Sequence, residues 1–163
     1  IEKDTLKRFS KKQTWDFDVK TQGWRYHMSD IMAAIGRVQL QRREELAETR
    51  QYLAKLYFEK LSINKRIVSI LKNFDLVVPH IFPIRILNLN NRNSLRKTLF
   101  EKGIETGVHY VPNHKLTLYL SKDDNPLPET EKIHSEILTL PLHPGLNKDE
   151  IEYVCRQLQD VLE

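Results

Sequence analysis

A long amphipathic helical pattern, uninterrupted by proline, constrains this chain more than any other feature. Its apolar positions include Ile31, Ile35, Val38, Leu46, Leu53, Leu56 and Leu61. Ser29 precedes the pattern as an N-cap residue. The spacing predicts one helix over residues 29–61 with a bend near Gln41–Arg43. A helix of this length exceeds the average for globular domains, so we expect it to organise the chain.

Shorter strand and helix patterns alternate after this helix. Segments 76–87, 104–111 and 139–142 have strand character, and Pro79 and Pro83 place the first at a sheet edge or a bulge. The predicted order is long helix, strand, helix, strand, helix, strand, helix. This order predicts an α/β fold class, and more narrowly a small α+β domain with a few-stranded sheet covered by helices.

Local signals predict where the shorter helices begin and end. Asn93 or Ser94 is the expected N-cap of the helix after the first strand, and Gly103 is its expected C-terminal stop. Asn147, followed three residues later by Glu150, predicts a capping box at the start of the last helix.

Composition excludes several classes of protein and site. No apolar run approaches the ~20 residues needed to span a bilayer. The single cysteine, Cys155, excludes an internal disulfide, suits a cytoplasmic location and is expected to be a buried apolar residue. We predict no metal site, and no nucleophile elbow, phosphate-binding loop or dinucleotide fingerprint is present.

Charge is divided unevenly and leaves two non-catalytic alternatives open. Residues 1–66 carry 15 Lys/Arg against 9 Asp/Glu, whereas residues 67–163 are slightly acidic. The first alternative is a nucleic-acid-binding module, whose basic residues would be Lys7, Arg8, Lys11, Lys12, Arg42 and Arg43. The second is an interaction scaffold built on the long helix, although its apolar stripe drifts instead of keeping a heptad.

Several motifs follow one another in a fixed order. They are Gly23-Trp24-Arg25-Tyr26-His27-Met28-Ser29-Asp30, Ala33-Ala34-Ile35-Gly36, Arg92-Asn93, Gly103-Ile104-Glu105-Thr106-Gly107-Val108-His109-Tyr110-Val111-Pro112-Asn113-His114 and Leu138-Thr139-Leu140-Pro141-Leu142-His143-Pro144. Together they resemble the DegT/DnrJ/StrS family of sugar aminotransferases, which use pyridoxal phosphate. The resemblance covers nearly the whole chain.

The resemblance implies that this chain is the C-terminal part of a fold-type-I enzyme. Residues 1–28 would end the large domain, 29–61 would form a connecting helix, and 62–163 would form a small domain with an antiparallel sheet flanked by helices. The chain does not begin with Met, and none of its 15 lysines occupies the family's Schiff-base motif. We therefore expect no catalytic lysine here and no activity from the chain alone.

The resemblance also implies candidate binding residues. Arg25 would contact the pyridoxal phosphate of the neighbouring subunit in a homodimer, in place of the family's asparagine. His27 stands where the family has an arginine, and His109, Tyr110 and His114 would lie near the sugar nucleotide. The implied substrates are a nucleotide-linked keto sugar and an amino-acid donor, with neither nucleic acid nor membrane as a partner.

Overall fold

The computed structural model describes residues 21–24, 26–119 and 126–163, and the chain divides into two compact units, Ile1–Leu40 and Gln41–Glu163. The first unit contains most of helix α1 (Asp30–Gln41), none of whose side chains is buried. The backbone N–H of Met32 donates to Ser29 Oγ at 3.3 Å, which confirms the predicted N-cap.

The helical pattern of residues 29–61 is not one continuous helix. Helix α2 spans Arg43–Leu61, and Arg42 separates it from α1 with φ −87° and ψ 4°. The Arg42 guanidinium turns to Glu45, donating at 3.0 and 3.2 Å. The break at Arg42 therefore lies within Gln41–Arg43, the segment where the sequence predicts a bend.

Three short strands form an antiparallel sheet in the order β1 (Ile67–Ser69), β2 (Phe82–Ile86) and β3 (Ile137–Leu140). The sequence pattern does not predict β1, which is only three residues long. β2 is shorter than the predicted segment 76–87, and it pairs on both sides, so the predicted edge position is wrong. The central strand tolerates Pro83 because the pairing with β1 ends one residue away, at Ile84. The last strand begins two residues earlier than predicted.

The strand predicted over residues 104–111 is wrong. Among the described residues of this segment, only Gly107 pairs with the sheet, exchanging backbone hydrogen bonds of 2.9 and 2.8 Å with Thr139. Alternation of side chains is a local property, whereas a strand needs a partner along its length. The segment is therefore a single bridge at the edge of β3.

The remaining helices are α3 (Arg92–Glu101), α4 (Pro128–Glu136) and α5 (Lys148–Leu162). The N-cap of α3 is Asn91 instead of Asn93 or Ser94, because Asn91 Oδ1 accepts the Ser94 backbone N–H at 3.0 Å. Gly103 follows α3 with φ +78°, a left-handed conformation that favours glycine. These contacts correct the predicted cap and confirm the predicted stop.

The capping box at the start of α5 is confirmed. The Glu150 backbone N–H donates to Asn147 Oδ1 at 3.1 Å, and the Asn147 backbone N–H donates to Glu150 Oε2 at 2.8 Å. This reciprocal pair fixes the first turn of α5 beside the end of β3, where the cleft described below lies.

The core of the second unit lies between the sheet and helices α2, α3 and α5. The rings of Tyr57 and Phe82 stack with their centroids 4.9 Å apart, and the Tyr57 hydroxyl donates to the Pro141 carbonyl at 3.0 Å. Cys155 is buried in the same core, and burial raises the pKa of its thiol to about 12. The prediction of an apolar, unreactive cysteine agrees with this environment. The second unit therefore confirms the predicted α+β class.

No helix within the described residues is both long and apolar enough to cross a membrane.

Candidate functional site

An open cleft of about 590 Å³ lies where the segment after α3 meets the end of β3 and the start of α5. Gly103 to Gly107 forms one wall, and the turn from Thr139 to His143 forms another. The polar side chains that line the cleft are His80, Glu105, Thr106, His109, Thr139, His143, Glu150 and Tyr153. Three imidazoles, two carboxyls, two threonine hydroxyls and a phenol can together donate to and accept from a hydroxyl-rich ligand.

His109 is the predicted site residue that the structure places in this cleft. Its ring is half-buried, and its Nδ1 lies 3.0 Å from Thr139 Oγ1 on β3. Within the described residues, no hydrogen-bond partner is found for the other ring nitrogen, Nε2. His109 is therefore held at one nitrogen and can bind a ligand at the other.

Tyr110 directly follows His109, across a cis peptide bond, and has a different environment. Its ring meets the His109 ring edge-on, with centroids 4.8 Å apart and planes at 88°. The side chain is 72% exposed and is not part of the cleft lining. Any contact of the Tyr110 hydroxyl with a ligand is thus made outside the cleft.

His114 belongs to a polar cluster beside α4. Its Nε2 lies 3.3 Å from one oxygen of Glu131, and Lys115 Nζ donates to the other at 3.1 Å. Lys115 and, next, His114 lower the pKa of the Glu131 carboxyl. Glu131 therefore stays ionised near neutral pH and ties the loop of residues 113–115 to α4.

The other two predicted site residues lie before α1. Arg25 falls outside the described residues, and His27 is exposed. Their roles stay predictions.

Arg92 stabilises the protein's own backbone. Its guanidinium donates to the carbonyls of His134 and Ile137 at the C-terminal end of α4, where free carbonyls favour a positive charge. Burial, followed by the charge of Arg96, lowers the pKa of Arg92. In its contacts with the described residues, Arg92 therefore caps the C-terminal end of α4.

Sequence reasoning missed His80 and His143 as cleft residues. His143 is the sixth residue of the Leu138–Pro144 motif, but His80 precedes β2 and belongs to no motif. The two come together because β2 and β3 pair antiparallel, and because Arg50 Nη1 donates to the carbonyls of His80 and Leu142, each at 3.2 Å. In the sequence, Arg50 is only one cation of the predicted long helix. Its half-buried position and its contacts with these two carbonyls are visible only in the structure.

Comparison with known proteins decides the family. The profile of the DegT/DnrJ/EryC1/StrS aminotransferase family matches residues 3–159. This chain belongs to that family. The match confirms the resemblance carried by the motifs, and enzymes of the family use pyridoxal phosphate.

Two curated relatives align with nearly all of the chain. It is 27% identical to the uncharacterized protein MJ1066 of Methanocaldococcus jannaschii, over 99% of this chain and 44% of the relative. It is 26% identical to the UDP-4-amino-4,6-dideoxy-N-acetyl-beta-L-altrosamine transaminase of Campylobacter jejuni, over 94% of this chain and 42% of the relative. The chain thus spans less than half the length of these relatives.

A solved structure shows the same fold. The PMP form of the putative sugar aminotransferase Spr1654 from Streptococcus pneumoniae aligns with a TM-score of 0.85 and 29% identity, covering 98% of this chain and 41% of that one. A PLP form of the same protein also aligns, with a TM-score of 0.82. The chain therefore has the fold of the corresponding part of a fold-type-I aminotransferase.

The described residues do not form a complete site for pyridoxal phosphate. Such a site needs a lysine whose amine forms a Schiff base within an enclosed pocket. Of the nine lysines that the structure describes, none is buried and none lines the cleft. That the Schiff-base lysine of the whole enzyme lies outside this chain stays a prediction.

Proposed function

We propose that the whole protein is a pyridoxal-phosphate-dependent aminotransferase of the cytoplasm that transfers an amino group from an amino-acid donor to a nucleotide-linked keto sugar. Family membership supports the reaction class, and the relative named as a UDP-amino-sugar transaminase supports the substrate class. The observation that carries the proposal for this chain is His109, held by Thr139 with its Nε2 available in a polar cleft.

The residues of this chain bind and orient the sugar substrate in this proposal. His109 Nε2 contacts an oxygen of the nucleotide-linked sugar, and the neighbouring cleft groups complete its hydrogen bonding. Tyr110 and His114 contact the substrate from the loop outside the cleft, and His27 lies near its phosphates. The cofactor supplies the electron sink when bound, and its Schiff-base lysine lies outside these 163 residues.

A substrate panel tests this proposal. The whole enzyme is incubated with pyridoxal phosphate, glutamate and either UDP- or dTDP-linked keto sugars or the matching free keto sugars. We expect amino-sugar nucleotides and 2-oxoglutarate, detected by mass spectrometry, only with the nucleotide-linked compounds. Turnover of free keto sugars alone, or of none of the panel, would contradict the proposed substrate class.

Replacing Arg25 by alanine in the whole enzyme should weaken cofactor retention. We propose that its guanidinium contacts the cofactor phosphate of the neighbouring subunit, and a charge-assisted hydrogen bond is worth about 1.5–3 kcal/mol. The dissociation constant for pyridoxal phosphate, measured by absorbance titration, should rise accordingly. Arg37→Ala, an exposed arginine of α1, is the control and should leave it unchanged. In mixed dimers the defect should appear in the site of the unmodified subunit; a defect in the variant's own site would refute the assignment.

The exposed face of α1 should make the chain associate when it is studied alone. Ile31, Ile35 and Val38 are 75%, 54% and 53% exposed. Removing such an apolar stripe from water is favourable, so it tends to be buried against another surface. We propose that a second copy covers it, as in a homodimer. Sedimentation velocity should show a dimer that Ile31→Glu/Ile35→Glu converts to monomer, whereas Ile63→Glu, 80% exposed outside α1, should not. A parent chain that is monomeric at every concentration would argue against this interface.

A further inference from the structure

We propose that Thr139 and Gly107 are positioning residues for His109, fixing its ring so that Nε2 is presented to the substrate. The inference rests on the proposed function, because it assigns the ring a ligand to meet. It goes beyond that function because neither Thr139 nor Gly107 needs to touch the substrate.

Thr139 is a rigid point of attachment. It pairs with Pro83 of β2 on one side and exchanges two backbone hydrogen bonds with Gly107 on the other. Its side chain is 5% exposed, and burying a hydroxyl is costly unless it is hydrogen-bonded. Within the described residues, its hydroxyl finds that partner in Nδ1 of His109, at 3.0 Å.

Gly107 has no side chain, and the His109 ring occupies the space where one would begin. A Cβ atom built on Gly107 would lie 2.7 Å from Cε1 of His109, closer than real Cβ atoms come to other atoms, and 3.2 Å from Nδ1, which is a tight contact. Its φ is not in the left-handed region, so the backbone does not require glycine there. Glycine is required by the imidazole, which lies directly against it.

The two contacts fix different properties of one ring. Gly107 allows the ring to lie close to the bridge, and Thr139 fixes its rotation through Nδ1. The backbone bridge fixes Gly107 and Thr139 relative to each other. Motion of the loop beyond Tyr110 therefore displaces the His109 ring little. A binding group oriented before the ligand arrives loses less entropy on binding, which raises affinity for the substrate.

Four variants of the whole enzyme test this inference. Thr139→Val keeps the shape and the backbone pairing but removes the hydroxyl, and Thr139→Ser restores the hydroxyl. Gly107→Ala displaces the ring without removing any polar group. Thr98→Val is the control, because Thr98 is a half-buried threonine on α3 that does not line the cleft and donates to the Ser94 carbonyl of its own helix.

We expect Thr139→Val and Gly107→Ala each to raise KM for the nucleotide-linked keto sugar by about 3–10-fold, the range for one lost neutral hydrogen bond. The kcat should change by less than about twofold because it is measured with the sugar saturating, and the half-reaction with the amino donor should be equally unaffected because it takes place without the sugar. Thr139→Ser should recover most of the parent KM, and Thr98→Val should match the parent. In a His109→Ala background, Thr139→Val should have no further effect on KM.

Crystal structures of the same variants separate this inference from the proposed function. In Thr139→Val and Gly107→Ala, the His109 ring should rotate or shift from its parent position. An unmoved ring in both, or a Thr139→Val effect that persists in full without His109, would overturn the positioning role. An enzyme that turns over no nucleotide-linked sugar would instead overturn the proposed function, and the ring positions would still decide the role of Thr139 and Gly107.

Discussion

Replacing Phe82 by alanine should lower the free energy of unfolding of the chain by about 3–5 kcal/mol, the range for deleting a buried aromatic ring. Phe82 is fully buried on β2. Its ring stacks on Tyr57 at 4.9 Å and on Phe74 at 6.4 Å between centroids. The cavity would therefore open between α2 and the sheet, where the surrounding rings are too rigid to fill it.

Urea unfolding at a fixed protein concentration, followed by circular dichroism, measures this loss. Phe100→Ala is the matched control, because Phe100 lies on α3 with 67% of its side chain exposed, and its removal should change stability by less than about 0.5 kcal/mol. Equal effects of the two substitutions would contradict the core described above.

Replacing Arg85 by methionine should cost about 3 kcal/mol, because it leaves the carboxylate of Glu136 buried without its cation. Arg85 Nε donates to Glu136 Oε2, and the Asn88 backbone N–H donates to Oε1 at 3.3 Å. The Glu136 side chain is 6% exposed, so solvent compensates poorly for the lost partner. The double variant Arg85→Met/Glu136→Gln should recover part of the loss, since it removes the buried charge as well.

The cost of Arg85→Met should depend on pH in a defined direction. Hydrogen bonding to Arg85 lowers the pKa of Glu136 in the folded protein, so this carboxylate stabilises the parent above the unfolded pKa of about 4.3. That stabilisation is lost as pH falls through the folded pKa. The stability difference between parent and variant should therefore be largest near pH 7 and shrink below about pH 4. A difference that is constant from pH 7 to pH 3 would show that the ion pair does not carry the effect.

The parts of the fold that the sequence predicts correctly are those decided within a few residues. Ser29 caps α1, and the Asn147–Glu150 capping box opens α5, because donor and acceptor in each case are three residues apart. The predicted strand at residues 104–111 fails for the opposite reason. Its alternation is real, but its partner is β3, distant in the sequence, and pairing stops after one bridge.

The candidate site divides in the same way. The motif that contains His109 indicates the residue, and the structure places it in the cleft. His80 and His143 reach the same cleft only through the pairing of β2 with β3 and the contacts of Arg50, which no local pattern shows. The role proposed for Thr139 is equally invisible in sequence, where it is one alternating residue of a short strand.

The central claim is that this chain binds the sugar nucleotide in an enzyme whose Schiff-base lysine lies elsewhere. Borohydride reduction of the whole enzyme with pyridoxal phosphate, followed by peptide mapping, tests it most directly. We expect one stoichiometrically labelled lysine outside these 163 residues. Its labelling should be lost after incubation with the amino donor and restored by a nucleotide-linked keto sugar. A stoichiometric label on any lysine within the 163 residues, or restoration by a free keto sugar alone, would contradict the claim.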